Sequence, residues 1–276
     1  MKLGISNIAW NYKDRIKYYS LLKKENIRGL EIAPKIFLFN QKNFIKPNKK
    51  LLKKNLKEIK KFDLKLISMQ SLLYGADNCF LFLNSKSKKN FEKRMIKIIK
   101  LAGTLEIPNL VFGSPKNRNI PKNMNFKKAE KIAIKTFLKL GKIAKENNTI
   151  ISIESNPKEY GTNFLNNINQ TYNFVKKINH SSIKIILDTG ELIINNEVKH
   201  VKKIINKVGK FLNHVHISQP YLKDSKNFNH LVNVLKNLKK SNYNNWISIE
   251  MREPEVDKFN KISKSIKNLK KISRLV

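Results

Sequence analysis

The sequence predicts an α/β protein folded as a single (β/α)8 barrel, one domain over residues 1–276, and three observations predict it. Eight short runs rich in β-branched residues recur along the chain. Each is followed by a longer lysine-rich stretch whose apolar residues return at helical spacing. No Pro-, Gly- or Ser-rich linker interrupts the alternation, and the first run leads through "SNIAWNY" into no glycine-rich phosphate loop. The last point sets a closed parallel barrel above an open doubly wound sheet.

The elements follow in order. "KLGISNIA" (2–9) precedes a helical pattern at 11–25, and "RGLEIA" (28–33) precedes one at 47–61. "LKLISMQ" (64–70) is followed by a pattern at 88–104, and "NLVFG" (109–113) by one at 126–147. "TIISIE" (149–154) leads to 164–179, and "IKIILD" (183–188) to 197–208. "NHVHIS" (213–218) leads to 228–240, and "WISIE" (246–250) to a closing pattern at 256–272. In stretches such as "KKLLKKNLKEIKKF" and "SKSIKNLKKIS" the lysines alternate with apolar positions at helical spacing, which makes a solvated outer face over a buried stripe.

Charge and cysteine content narrow the function classes. The formal net charge is +37, which taken alone points to nucleic acid or an anionic surface. Only six of the 57 basic residues are arginine, however, and the chain is also rich in Asn and Ile, the composition of a strongly AT-biased coding sequence. With the lysines spread over helix-like segments, neither nucleic acid nor a membrane is the expected partner. The N-terminal "MKLGISNIAW" lacks the pattern of a secretory leader and no segment approaches 18 uninterrupted apolar residues, so a cytoplasmic protein is expected. The single Cys79 allows neither a disulfide framework nor a cysteine zinc cluster and reads as a small buried hydrophobe.

The strand ends carry the chemistry. In a (β/α)8 barrel the active site is built where the strands end, and here the chain gives Asn7, Glu31, Gln70, Ser114, Glu154, Asp188, His216 and Glu250 at or near the ends of the eight runs. The tetrapeptide ISIE occurs at 151–154 and again at 247–250. As a strand it puts the isoleucines on one face and the serine and glutamate on the other, so Glu154 and Glu250 share the inward parity. A carboxylate there is costly unless something compensates it. Glu154, Asp188, His216 and Glu250 are the residue types of a divalent-metal site, and three carboxylates with one imidazole suit Mn2+, Mg2+, Co2+ or Zn2+.

The set "IESN", "LDTG", "HVHIS" and "ISIE" resembles the xylose-isomerase-like barrel family of sugar isomerases and epimerases, inosose dehydratases and endonuclease IV. "GISNIAW", "FGSPKNR", "NP" followed by "YGTNF", and "LDTGEL" are similar to its sugar phosphate isomerase/epimerase branch, and the likeness spans almost the whole chain. It implies that Glu154, Asp188, His216 and Glu250 are the ligands of one divalent ion, with His216 rather than His214 as the imidazole ligand. One departure stands out: "DTGE" puts Glu191 where the family's ketose epimerases have a substrate-binding histidine. Five histidines in all, with His180, His200 and His230 in helices or loops, also argue against the histidine-rich trizinc site of endonuclease IV.

The expected function is a sugar or sugar-phosphate isomerase or epimerase that abstracts a proton next to a carbonyl through an enediolate. Glu154 and Glu250 serve as the two bases from opposite sides of the substrate. Dehydration of a keto-polyol by the same chemistry is the alternative, ahead of an endonuclease IV-like nuclease. The loop "GSPKNRNIP" brings Ser114, Lys116 and Arg118 toward the rim as candidates for a phosphate or carboxylate, beside the plainer reading of a polar turn. Arg252 meets an anionic substrate or pairs with Glu191 or Glu253. Glu31 orients a ligand or the substrate or bonds to a neighbouring strand; Asn7 and Gln70 hydrogen-bond substrate or ligands; His214 lies deeper, supporting the ligands. Trp10 and Tyr74 wall the pocket or pack loops, and Asn156 and Asn163 are minor candidates. The partner is a small sugar or sugar phosphate, and a homo-oligomer is left open.

Overall fold

The computed structural model describes residues 1–39, 47–224 and 229–276. Its strands are β1 (Lys2–Ser6), β2 (Gly29–Ile32), β3 (Lys65–Met69), β4 (Asn109–Phe112), β5 (Ile150–Ile153), β6 (Ile183–Asp188), β7 (Leu212–Ile217) and β8 (Trp246–Ile249). They run parallel in chain order and close on themselves, β8 pairing with β1. The helices are α1 (Arg15–Lys24), α2 (Pro34–Phe37), α3 (Lys49–Lys61), α4 (Ser85–Thr104), α5 (Phe126–Glu146), α6 (Ile168–Ile178), α7 (Thr189–Ile194), α8 (Val201–Val208), α9 (Asn229–Lys240) and α10 (Lys258–Leu275). All eight expected strands and eight expected helices are present, with the expected start of α9 at 228 outside the described residues. The short α2 and α7 were not anticipated, because four and six residues are too few to show a helical period.

Asparagine marks the helix ends. Asn48, Asn84, Asn125 and Asn167 cap α3, α4, α5 and α6, each accepting a backbone N–H of the first turn. Asn26, Asn148, Asn179 and Asn242 take positive φ just after α1, α5, α6 and α9, a conformation asparagine adopts more readily than other residues with a Cβ. The asparagine content that composition explained by coding bias is therefore put to structural use.

Contacts group the chain into two compact units, Met1–Ile67 with Asp188–Val276, and Ser68–Leu187. In the first, β1 lies between β2 and β8, with Gly4 opposite Gly29 and Ser6 opposite Glu31. A Cβ on Gly4 would come within 2.6 Å of Ile67 Cδ1 and 2.9 Å of the Gly29 carbonyl, so only glycine permits this approach. Helices α8, α9 and α10 pack in succession, and Trp10 stacks on Tyr18 at 4.9 Å. In the second unit β4 and β5 pair from Asn109↔Ile150 to Phe112↔Ile153. Helices α4, α5 and α6 cover them around Phe91, Phe112, Phe137, Phe164 and Phe174, whose rings meet edge-on. The inward face of this unit is polar: the Ser152 hydroxyl donates to Asn109 Oδ1 (2.6 Å), and Asn109 Nδ2 donates to Ser68 Oγ (2.9 Å). Ser152 thus has the parity expected of the first ISIE.

Candidate metal centre

Asp188 ends β6 and caps α7 at once. Its Oδ1 accepts the Glu191 N–H (2.7 Å) and its Oδ2 accepts the Ser218 hydroxyl (2.6 Å). Ser218 in turn accepts the Gly190 N–H (2.9 Å), while Thr189 exchanges two hydrogen bonds of 2.8 Å with the Ser218 backbone. A Cβ at position 190 would stand 2.5 Å from Ser218 Oγ and 2.9 Å from the Gln219 carbonyl. The residues of "DTG" are therefore explained by one lock between the end of β6 and the end of β7.

His216 and Glu250 lie beside that lock. Glu250 follows β8, its N–H bonded to the Ile217 carbonyl (2.9 Å). The His216 ring, completely buried, points Nε2 at both oxygens of Glu31 (2.9 and 3.1 Å) and Nδ1 at Glu250 Oε2 (3.2 Å). Glu31 also faces His214 Nε2 (3.3 Å), which contacts Ser248 Oγ at 3.0 Å. Burial pushes the Glu31 carboxyl upward, but the two imidazoles outweigh it and hold it well below the usual carboxylate range. An ionised Glu31 places the proton of His216 on Nε2, so that Nδ1 offers a lone pair.

In the second unit Glu154 follows β5. In the first, one ligand atom from each of Asp188, His216 and Glu250 lies within 4.8 Å of the other two. These residues fit a divalent cation. The carboxylates of Asp188 and Glu250, within 4.8 Å of each other, repel by about 3 kcal/mol or more at an effective dielectric of about 20. A lone-pair nitrogen facing a carboxylate adds a further acceptor. A proton on Nδ1 would satisfy one carboxylate, whereas a divalent ion would satisfy Asp188, His216 and Glu250 together. Oxygen-rich donors with one imidazole suit the harder divalent metals and zinc.

The other expected site residues are placed as follows. His214 and Glu31 are both buried, and one carboxylate, that of Glu31, faces the Nε2 atoms of both His214 and His216. Asn7 is buried and its Oδ1 accepts the Ala33 N–H (2.7 Å), fixing the start of α2. Gln70 is buried next to Ser71, whose hydroxyl donates to its Oε1 (3.3 Å). Glu191 is 1% exposed, in the first turn of α7. Ser114 is half-buried with φ 45° and opens a 3-10 turn, and Lys116 is exposed. Arg118 is not on the rim: it is completely buried, donating to the Glu154 carbonyl (2.7 Å) and to Asn156 Oδ1 (3.0 Å), which corrects its expected role as a reader of anions. Arg252 is exposed, and Glu253 pairs instead with Lys258 at 3.0 Å. Tyr74 is exposed, while Trp10 is buried packing. Asn163 ties its loop to Ile120 through two hydrogen bonds of 2.7 and 2.9 Å.

Sequence reasoning missed Ser218 and Gly190, whose signal was the serine two places after His216 and the glycine two places after Asp188. It also missed Gly113, where a Cβ would overlap Oε2 of Glu154. Among the described residues, the groups of His, Asp and Glu able to hold a metal include none of His180, His200 and His230.

A family model described as xylose isomerase-like TIM barrel matches residues 20–272. Similar solved structures include a 3-keto-D-glucoside 4-epimerase, YcjR, from E. coli: TM-score 0.81, 16% identity, 98% of this chain and 99% of that one covered. A D-psicose 3-epimerase from Clostridium cellulolyticum H10, solved with D-tagatose, has TM-score 0.77 at 16% identity, with 100% and 99% covered. The IOLI protein, with a binding zinc atom, has TM-score 0.71 at 17% identity, with 99% and 96% covered. No curated protein matches the chain by sequence.

Proposed function

The chain belongs to the xylose isomerase-like TIM barrel family, and from that premise we propose that it is a divalent-metal-dependent isomerase or epimerase of a sugar or sugar phosphate. The observation that carries the proposal is the convergence of Asp188, His216 and Glu250 within 4.8 Å, with Glu31 fixing the His216 ring from behind; Glu154 is proposed as the fourth ligand. The sugar substrates of the epimerases that share the fold support the substrate class.

Asp188, His216 and Glu250, with Glu154, would hold a divalent ion, which when bound would supply Lewis acidity toward a carbonyl oxygen and its neighbouring C–H. Asp188, clamped by Ser218 and the Glu191 N–H, and His216, clamped by Glu31, are held in fixed orientations and bind. Glu154 and Glu250 take the proton work: one, as the carboxylate, removes the proton next to the carbonyl, leaving an enediolate; the other, entering as the carboxylic acid, gives its proton to the opposite face or the adjacent carbon, and exchange with water resets both. The exposed Lys116 and Arg252 are the side chains proposed to meet an anionic substituent, and Glu191, acceptor-only when ionised, to bind substrate hydroxyls.

The test is a screen of ketoses, keto-polyols and their phosphates with added Mn2+, in deuterated water, read by NMR. Isomerisation or epimerisation with deuterium incorporated at the reacting carbon is expected, and Glu154→Gln or Glu250→Gln is expected to lower turnover at least 100-fold, the lower end of what a positioned acid or base contributes. Full turnover in either variant sinks the two-base scheme. Loss of water from a keto-polyol instead would identify a dehydratase.

A further inference from the structure

The buried Arg118 raises a question that the anion-binding reading leaves unanswered, namely what a fully enclosed guanidinium does beside the end of β5. The chain leaves β4 at Phe112, passes Gly113, and turns at Ser114 (φ 45°, ψ 55°) into the 3-10 turn Pro115–Arg118. Asn117 pins this turn, its Nδ2 donating to the Cys79 carbonyl (2.7 Å) and its own carbonyl accepting the Leu81 N–H (2.8 Å). The guanidinium is thereby carried inward, over the Phe112 ring at 5.9 Å. Its Nη1 meets the Glu154 carbonyl and its Nη2 meets Asn156 Oδ1.

A guanidinium only donates, so the atom of Asn156 that it touches must be the oxygen, and the amide cannot be flipped. Asn156 Nδ2 is left facing the Ser155 carbonyl (2.7 Å) and Glu154 Oε2 (3.3 Å). On the other side the same Oε2 lies where a side chain on residue 113 would be, and Gly113 leaves it room. The Asn156 backbone is held as well, with its N–H on the Leu165 carbonyl (3.0 Å) and its carbonyl on Asn166 Nδ2 (2.9 Å).

We infer that Arg118 and Asn156 are positioning residues for the Glu154 carboxylate. Arg118 sets the orientation of the Asn156 amide, and the amide, against Gly113, sets the direction in which Glu154 presents its oxygens. The inference rests on the reading of Glu154 as a metal ligand and base. It differs from a role in tying loops together, because that role needs the Arg118 to Asn156 Oδ1 bond but not the amide donor that faces Glu154.

Asn156→Asp separates the two roles: it keeps the size and an oxygen for Arg118 but replaces the donor facing Glu154 by an acceptor. Mn2+ binding by the full chain is titrated through the EPR signal of the free ion, with melting in EDTA as the measure of folding. The expected result is an affinity at least tenfold lower for Asn156→Asp, in line with other residues that support metal ligands, and no further loss when the change is made in Glu154→Gln. Asn156→Ser, which deletes the amide, serves as the second variant and is expected to lose affinity in the same direction. Wild-type affinity in both variants overturns the inference. Should the wild-type chain bind no Mn2+, the metal-centre reading fails separately. Crystal structures of the wild type and the Asn156→Asp variant then decide: a displaced Glu154 carboxylate supports positioning, and an unmoved one overturns it.

Discussion

Glu31 shows how charge couples residues that are distant in sequence. It lies 185 residues from His216 in sequence, yet its two oxygens bracket the Nε2 of that ring. A neutral amide there could still contact the ring but would stabilise the required tautomer less, so Glu31→Gln is expected to weaken Mn2+ binding by about 10- to 100-fold. Isothermal titration measures this directly, and an unchanged affinity would remove Glu31 from the support of the centre. At this scale the strand ends were readable, because parity along a strand is a local property: within the first unit Asp188, His216 and Glu250 lie within 4.8 Å of one another. The partner of Glu31 was not readable, nor was the direction of Arg118, since a side chain that leaves a pinned turn takes its direction from contacts distant in sequence.

Between elements, the lock of β6 and α7 to the residue after β7 leaves no room for a side chain at Gly190. Gly190→Ala would press a methyl group against Ser218 Oγ and the Gln219 backbone, where there is no flexible side-chain end to give way. The expected cost is about 1–3 kcal/mol of folding stability, the usual price of overpacking. Because Ser218 also donates to Asp188, weaker Mn2+ binding should accompany the loss. Urea melts and Mn2+ titration of the same preparation read both, and a variant unchanged in both would show that the lock is dispensable. The strands and long helices here were legible from period alone, whereas α2 and α7 were not. Each is shorter than two helical turns, so its formation depends on a proline at the first position or on the Asp188 cap rather than on an apolar stripe.

For the molecule as a whole, the largest unbalanced quantity is the net charge of +37, with 57 basic residues against 20 acidic ones. Most lysines therefore have no acidic partner to meet, and the exposed pairs that do form, such as Lys177 with Glu130 at 2.7 Å, are each worth little. Self-repulsion should dominate at low ionic strength, so raising NaCl from about 10 mM to 150 mM, which shortens the screening length from about 30 Å to 8 Å, is expected to raise the melting temperature. A melting temperature that falls over this range would mean that the ion pairs outweigh the repulsion. None of the described helices is long and apolar enough to cross a membrane. By itself the sequence determined the alternation of eight strands and helices and the polar residue at each strand end, because periods of two and 3.6 residues are written locally. Only the tertiary structure decided that Arg118 turns inward, that Glu31 holds His216 and that Ser218 holds Asp188. Each depends on strand neighbours and turn directions that bring distant segments within hydrogen-bonding distance, and no local period records that.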